Sequence, residues 1–167
     1  MLHITHQQDS DLEDIDALLD ECFGSNRQIK TVYKLREGVP SVSELCFVIR
    51  EDGKLKASLQ FWPVMIKSDA GQEWPALLLG PIAVKASKQG QGYGIALMEF
   101  GLERAKELGY ERVILVGDEP YYRRVGFSRD LALDLFLPGP VDYNRLLARE
   151  LVPGAMKGVS GIVQPAK

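Results

Sequence analysis

Gly90, Gly92 and Gly94 stand at alternate positions in Gln89-Gly90-Gln91-Gly92-Tyr93-Gly94, where an apolar run ending at Val84 gives way to a helical pattern from Ile95 onward. No other stretch of the chain restricts the fold as strongly. A strand must end, the backbone must turn without side chains, and a helix must begin. Glycines in that place let backbone N–H groups converge on one point, and the helix dipole favours an anion beside them. A diphosphate suits such a point; a turn that needs positive φ and binds nothing is the alternative. A Walker A loop is excluded, because Ile95-Ala96 follow Gly94 where Lys and then Ser or Thr are required. The dinucleotide fingerprint also fails, since Ile95 occupies the position of its third glycine or alanine.

The flanking segments give the turn its setting. Ser10 and Glu13 have the spacing of a capping box, followed by Leu12, Ile15, Leu18, Leu19, Cys22 and Phe23 at helical period up to Gly24. A second helix is predicted over Arg27 to Arg36, with Arg27, Lys30 and Lys34 on a solvated side. Leu45 to Ile49 reads as a strand, Asp52-Gly53 as a hairpin turn, and alternating Leu55, Ala57, Leu59 and Phe61 as the return strand toward Ile66. Trp74 to Val84 is a long apolar strand interrupted by Gly80-Pro81. Proline cannot donate to a ladder and glycine often marks a bulge, so backbone groups beside that break are left open. Ile95, Met98, Leu102 and Ala105 stripe the helix that follows, and Val113 to Val116 is a short buried strand. Strand, helix and strand so joined make a right-handed parallel crossover within a sheet whose earlier hairpins are antiparallel. A short helix at Pro120 to Arg124, a strand at Leu131 to Leu137, a helix near Tyr143 to Leu151 and a last strand within Gly158 to Val163 complete the reading.

The 167 residues fit one domain, 1–167, with 46% hydrophobic and 26% charged residues, the balance of a folded globular chain. A net charge of -3 without a basic run argues against a nucleic-acid partner. No stretch is long and apolar enough for a bilayer, and Met1 to His6 lacks the regions of a signal peptide, so a cytoplasmic location is expected. Cys22 and Cys46 are then expected as reduced thiols, and no Cys/His spacing suggests a metal.

Three stretches in order resemble the GNAT superfamily of N-acetyltransferases. Gln89-x-x-Gly92-x-Gly94 is similar to its coenzyme A signature, Leu79 to Val84 to its central splayed strand, and Tyr121-Tyr122-x-x-x-Gly126-Phe127 to its C-terminal aromatic signature. Gly117-Asp118-x-x-Tyr121-Tyr122 further resembles a bacterial subgroup of predicted acetyltransferases. The resemblance spans roughly residues 2 to 137. It implies an α/β (α+β) fold with a mixed, mostly antiparallel twisted sheet, a central splayed strand pair and flanking helices. It also implies acetyl-CoA as cosubstrate, without metal, and direct transfer of the acetyl group to a primary amine of a small molecule or protein. Gln89, Gly90, Gln91, Gly92, Tyr93 and Gly94 then hold the diphosphate. Ile82, Ala83 and Val84 run beside the pantetheine arm, and Tyr122 takes the position of the general acid.

This sequence departs from the family's habit in one respect. Leu77-Leu78-Leu79-Gly80-Pro81-Ile82 carries no carboxylate, so the family's frequent glutamate base is missing. Asp118 is the best remaining candidate, although it can equally cap the helix after it; Glu21, Glu44 and Glu73 are weaker ones, and a water route is the default. Tyr121 is expected to fill core beneath Tyr122. A non-catalytic acyl-CoA-binding domain and a transferase of another short acyl group remain open. The acceptor is not legible, its cleft is expected between Phe23 to Arg36 and the segment after Phe127, and a homodimer is an expectation from the frequency of dimers in such proteins.

Overall fold

A computed structural model describes residues 2–166. The chain folds in the order β1 (Ile4–His6), α1 (Leu12–Phe23), α2 (Thr31–Lys34), β2 (Phe47–Glu51), β3 (Lys54–Lys67), β4 (Glu73–Val84), α3 (Tyr93–Glu107), β5 (Arg112–Val116), α4 (Glu119–Tyr122), β6 (Leu135–Phe136), β7 (Leu146–Glu150) and β8 (Gly161–Pro165). The main sheet runs β1-β2-β3-β4-β5-β7, and all its neighbours are antiparallel except the β4–β5 pair. The edge of β3 away from β4 is shared: β2 takes Lys54 to Leu59, and β8 takes Val64 to Lys67. The mixed sheet and the parallel crossover inferred from the sequence are therefore present.

Strand alternation sorts the apolar residues onto two faces. Phe47, Ile49, Leu59, Phe61, Leu77, Val113, Leu115 and Leu147 form one core with Leu97, Met98, Leu102 and Ala105 of α3. Val64, Ile66, Ala76, Leu78, Ile114, Leu146 and Ala148 face the other side, where Leu35, Met156 and Val159 cover them. Gly101 lets α3 approach β3, since a Cβ there would lie 2.7 Å from the Phe61 ring.

Gly80-Pro81 does what its residue types suggest. Leu79 pairs with Phe61 and Ile82 with Leu59, so two residues of β4 stand opposite Gln60 alone. This bulge shifts the alternation by one. Leu77 and Leu79 face the α3 core before it; after it Ile82 and Val84 pack on that face, while Ala83 meets Ile15, Leu18 and Leu19 of α1. On its other edge β4 pairs with β5 only through Leu77–Val113 and Leu78–Ile114. Beyond these rungs β5 stays with β7 through Leu115 and Val116, and β4 diverges alone. The result is a wedge opening toward the C-terminal ends of both strands.

Several local expectations are corrected. Gln8 and Asp11, not Ser10 and Glu13, make the capping box: the Gln8 amide donates to Asp11 Oδ2 at 2.7 Å, and α1 starts one residue later. The predicted helix over Arg27 to Arg36 is a 3-10 turn (Arg27–Ile29) followed by the single turn of α2. Arg27 is 5% exposed instead of solvated, because Asp16 and Asp20 on one face of α1 both pair with it. Leu131 to Leu137 is mostly a 3-10 turn and the two-residue β6, whereas Tyr143 to Leu151 holds a 3-10 turn and β7 instead of a helix. Leu146-Leu147-Ala148 suits either element; pairing with β5 decides for the strand. The hairpin at Asp52-Gly53 (φ 54° and 75°) and the last strand, β8, agree with the sequence reading.

Candidate active site

Two cavities lie along the wedge, and they meet. One, about 420 Å³, runs from the glycine turn along Ile82, Ala83 and Val84 to Tyr121 and Tyr122. The other, about 520 Å³, lies between the β4 edge at Leu79 to Ile82, the segment Arg27 to Arg36, and the loop Pro140 to Arg145. Phe23, Ile82, Tyr121 and Tyr122 line both. A cavity is thus present between the first helices and the segment after Phe127. The Thr31 hydroxyl donates to the Pro140 carbonyl and ties those two walls together.

At the glycine turn, Gly90 and Gly92 hold φ of 79° and 85°, and Gly92 is the N-cap of α3. The first amides of a helix have no partner within it. Here those of Tyr93, Gly94 and Ile95 begin a helix whose first intrahelical bond is Ala96 N–H to Gly92 C=O. Ile82, Ala83, Val84, Gln89, Gly90, Gly92, Tyr93 and Gly94 all line this cavity. Gln91 is not among its lining residues; its side chain donates to the Ser87 carbonyl at 3.2 Å. The Gln89 amide donates back to the Val84 carbonyl at 3.2 Å, closing the loop. The Tyr93 hydroxyl turns inward to Glu51 Oε1 at 2.5 Å, so only its backbone faces the turn's concave side. That bond and Lys88, 3.3 Å away, hold the Glu51 carboxyl below its usual range. Lys88 and Arg124 add positive charge to the same cavity wall, and neither was singled out from sequence.

Lys85 N–H donates to the Lys56 carbonyl at 2.7 Å, which sets the phase of the β3–β4 ladder. Amides alternate between the two edges of an antiparallel strand. Ala83 therefore faces β3, and Ile82 and Val84 direct their polar groups into the wedge. The Val84 carbonyl is taken by Gln89 and by the Cys22 thiol, whose sulfur lies 3.4 Å away.

Tyr122 stands where the cavities join. Its ring occupies the space a side chain at residue 117 would fill: a Cβ on Gly117 would be 2.2 Å from it. Burial, then the neighbouring Tyr121 and Asp118, push its phenol up to about 12. Tyr121 is not core, as the sequence suggested, but 37% exposed; a Cβ on Gly94 would lie 2.7 Å from its hydroxyl, so it leans against the entrance of α3. The two rings meet edge to face at 5.0 Å. Asp118 caps α4 through its backbone carbonyl, while its carboxylate is 3.2 Å from Arg145. Asp118 and Asp142 are the carboxylates that line the larger cavity. Glu21 pairs with Lys85, and Glu44 and Glu73 are exposed and line neither cavity. Cys22 and Cys46 are free thiols, both pushed up by burial. Among the described residues no three His, Cys, Asp or Glu side chains gather as a metal site, and no helix is long and apolar enough to cross a membrane.

An open parallel pair with a glycine-lined helix entrance beside it is the architecture of an acyltransferase class, and comparison with known proteins identifies which. The acetyltransferase (GNAT) domain model matches residues 3–129, and the chain belongs to the GNAT acetyltransferase family. It is 32% identical to the uncharacterised N-acetyltransferase YhbS of Escherichia coli K12 over 155 residues, covering 92% of this chain and 90% of that protein. The crystal structure of YhbS in complex with CoA superposes with a TM-score of 0.81 at 30% identity, over 98% of this chain and 89% of that one. A GNAT acetyltransferase from Brucella melitensis in complex with acetyl-CoA gives a TM-score of 0.70 at 26% identity, over 98% and 95%.

Proposed function

We propose that this protein is an N-acetyltransferase that passes the acetyl group of acetyl-CoA to a primary amine by direct attack within a ternary complex. The observation that carries the reading is the junction of two cavities at Ile82 and Tyr122, one suited to a diphosphate-bearing arm and one large enough for a small acceptor. The CoA and acetyl-CoA complexes of the two similar structures support the choice of cosubstrate.

The residues present fit that cosubstrate. The diphosphate rests on the free amides at the start of α3, where side chains are missing at Gly90, Gly92 and Gly94, with Lys88 and Arg124 beside it. The pantetheine amides pair with the β4 groups that β5 leaves open. The Ile82 N–H, directed into the wedge, donates to the thioester carbonyl and stabilises the oxyanion as the amine adds.

The amine must attack as the free base. With a lysine-like pKa of about 10.4, deprotonation at neutral pH costs roughly 4–5 kcal/mol. No carboxylate of β4 reaches the junction, so water on the Asp118 side carries away this proton and the second one that the nitrogen sheds after it has added to the thioester. The C–S bond then breaks and the thiolate leaves. A phenol near 12 transferring its proton outright to a thiolate, whose thiol has a pKa of about 8.5, would be uphill by roughly 5 kcal/mol. Tyr122 therefore serves as a hydrogen-bond donor to the departing sulfur, in the phenol form throughout the physiological range. In Tyr122→Phe, kcat falls about 10²-fold while the Kd for acetyl-CoA stays within about threefold. Unchanged turnover removes Tyr122 from the mechanism.

The absence of a carboxylate between Trp74 and Val84 favours one other reading, a binding domain that holds acyl-CoA without turning it over. Release of free thiol from acetyl-CoA in the presence of an amine panel separates the two.

A further inference from the structure

Arg27 and Arg36, on the wall of the larger cavity, each hold a hydrogen-bond donor without a partner, and so does Trp62 beside Arg36. Among the described residues, four side-chain polar atoms are shielded from solvent without a partner, and three of them, Arg27 Nε, Arg36 Nε and Trp62 Nε1, belong to groups that only donate. These three side chains are neighbours. The Arg36 guanidinium lies 4.0 Å from the centroid of the Tyr33 ring and 5.5 Å from that of Trp62, and the charge of Arg27 acts on it.

The cations around the cavity differ in how they are neutralised. Arg27 is held by Asp16 and Asp20, and Arg145 by Asp118. Lys30 is exposed, 5.6 Å from the Phe23 ring centroid. Arg36 pairs with no carboxylate among the described residues, yet its guanidinium rests on the Tyr33 face, with Trp62 close by, at the wall of the larger cavity. Burial lowers its pKa from the usual arginine range, Tyr33 opposes that shift and Arg27 adds to it, and a bound anion would supply the neutralising charge that no carboxylate gives.

The opposite wall carries two carboxylates together with Arg145. Asp118 and Asp142 line it, and Asp118 is close enough to Tyr122 to raise its phenol. Asp118, paired with Arg145, thus lies beside the reaction junction, where an amine must be placed, and the guanidinium without a carboxylate partner lies on the N-terminal wall.

We propose that the acceptor is a small amine that carries a carboxylate, an amino acid or an ω-amino acid, whose carboxylate is bound by Arg36 while its amine is presented at Tyr122. A planar carboxylate matches the fork of a guanidinium, and the aromatic stack fixes the plane of that fork in advance. The cavity of about 520 Å³ accommodates a molecule of that size. The inference rests on the transferase reading for the amine end and on the unpaired arginine for the acid end.

The test pairs each acid with its decarboxylated analogue: phenylalanine with phenethylamine, and 4-aminobutyrate with propylamine. Thiol release is followed with acetyl-CoA saturating. At least one acid is expected to exceed its analogue by at least about tenfold in kcat/KM, mostly through KM. In Arg36→Gln that ratio falls toward one, and Arg36→Lys restores only part of it; the melting shift with acetyl-CoA confirms that each variant is folded. Equal use of acids and analogues, or an equal loss for both in Arg36→Gln, overturns the carboxylate subsite and leaves the transferase standing. So does turnover restricted to lysine side chains within peptides. Calorimetry of the same acids with the CoA-loaded protein separates the remaining outcomes. Heat that disappears in Arg36→Gln without any turnover keeps the subsite and sinks the transferase; neither heat nor turnover sinks both.

Discussion

Tyr122 is sealed from water on one side by Phe127, whose ring centroid lies 6.5 Å away, and on another by the bare Gly117 backbone. The consequence extends to stability. A phenol raised from 10 to about 12 keeps its proton more tightly in the folded chain than in the unfolded one. Its contribution is complete below pH 10 and is lost as pH climbs from 10 through 12, by about 3 kcal/mol in all. Tyr93, Tyr110 and Tyr121 are shifted in the same direction, so the whole alkaline limb steepens. Urea unfolding at pH 8 and pH 11 should show a smaller loss for Tyr122→Phe than for the unaltered protein. Equal losses would mean that the ring is not buried as described. The acid side belongs to other groups. Glu119 accepts from the Arg129 amide at 2.7 Å and faces Arg123 at 3.2 Å, which holds its carboxyl below the usual range. That contribution is present above the ordinary glutamate pKa and disappears as pH falls through the lowered value.

Helix α3 must do two things at once, present bare amides at one end and pack closely on β3 in the middle. The packing depends on Gly101, where an added methyl would meet the Phe61 ring at 2.7 Å. Gly101→Ala should cost about 1–3 kcal/mol, read as a lower urea midpoint with an unchanged slope. No change in midpoint would show that the helix slides to make room. The same elements mark how far sequence reasoning reached. Asp52-Gly53, Gly90 and Gly92 were legible because turn chemistry is local: positive φ selects those residues whatever lies around them. Gly80-Pro81 was legible for a similar reason, and the bulge followed. The strand β7 was misread because Leu146-Leu147-Ala148 is apolar on both sides, which only its place between two cores explains. Arg27 was placed outside because nothing near it in sequence announces that Asp16 and Asp20 await it. In the site, Tyr122 and the glycine turn were carried by contiguous motifs. Arg36, Arg124 and Arg145 were not: Arg145 acquires meaning from Asp118, Arg36 in part from Trp62, and Arg124 from the cavity it shares with the glycine turn.

Across the whole molecule, the cofactor-side cavity draws its walls from α1, β4, α3 and α4, so a ligand filling it should stabilise the fold as a unit. Free acetyl-CoA at about 100 times its Kd adds about 2.7 kcal/mol. For a chain of this size that corresponds to a rise of about 5–10 °C in Tm. A flat melting profile across that titration would remove the cofactor reading and everything built on it. The two-rung join between β4 and β5 has a further consequence. Backbone hydrogens of Ile82 and Val84 have no neighbouring strand to guard them, so they should swap with deuterium quickly in the apo protein. A bound pantetheine would act as the missing strand and slow that swap, and the sheet would be whole only while its substrate is in place.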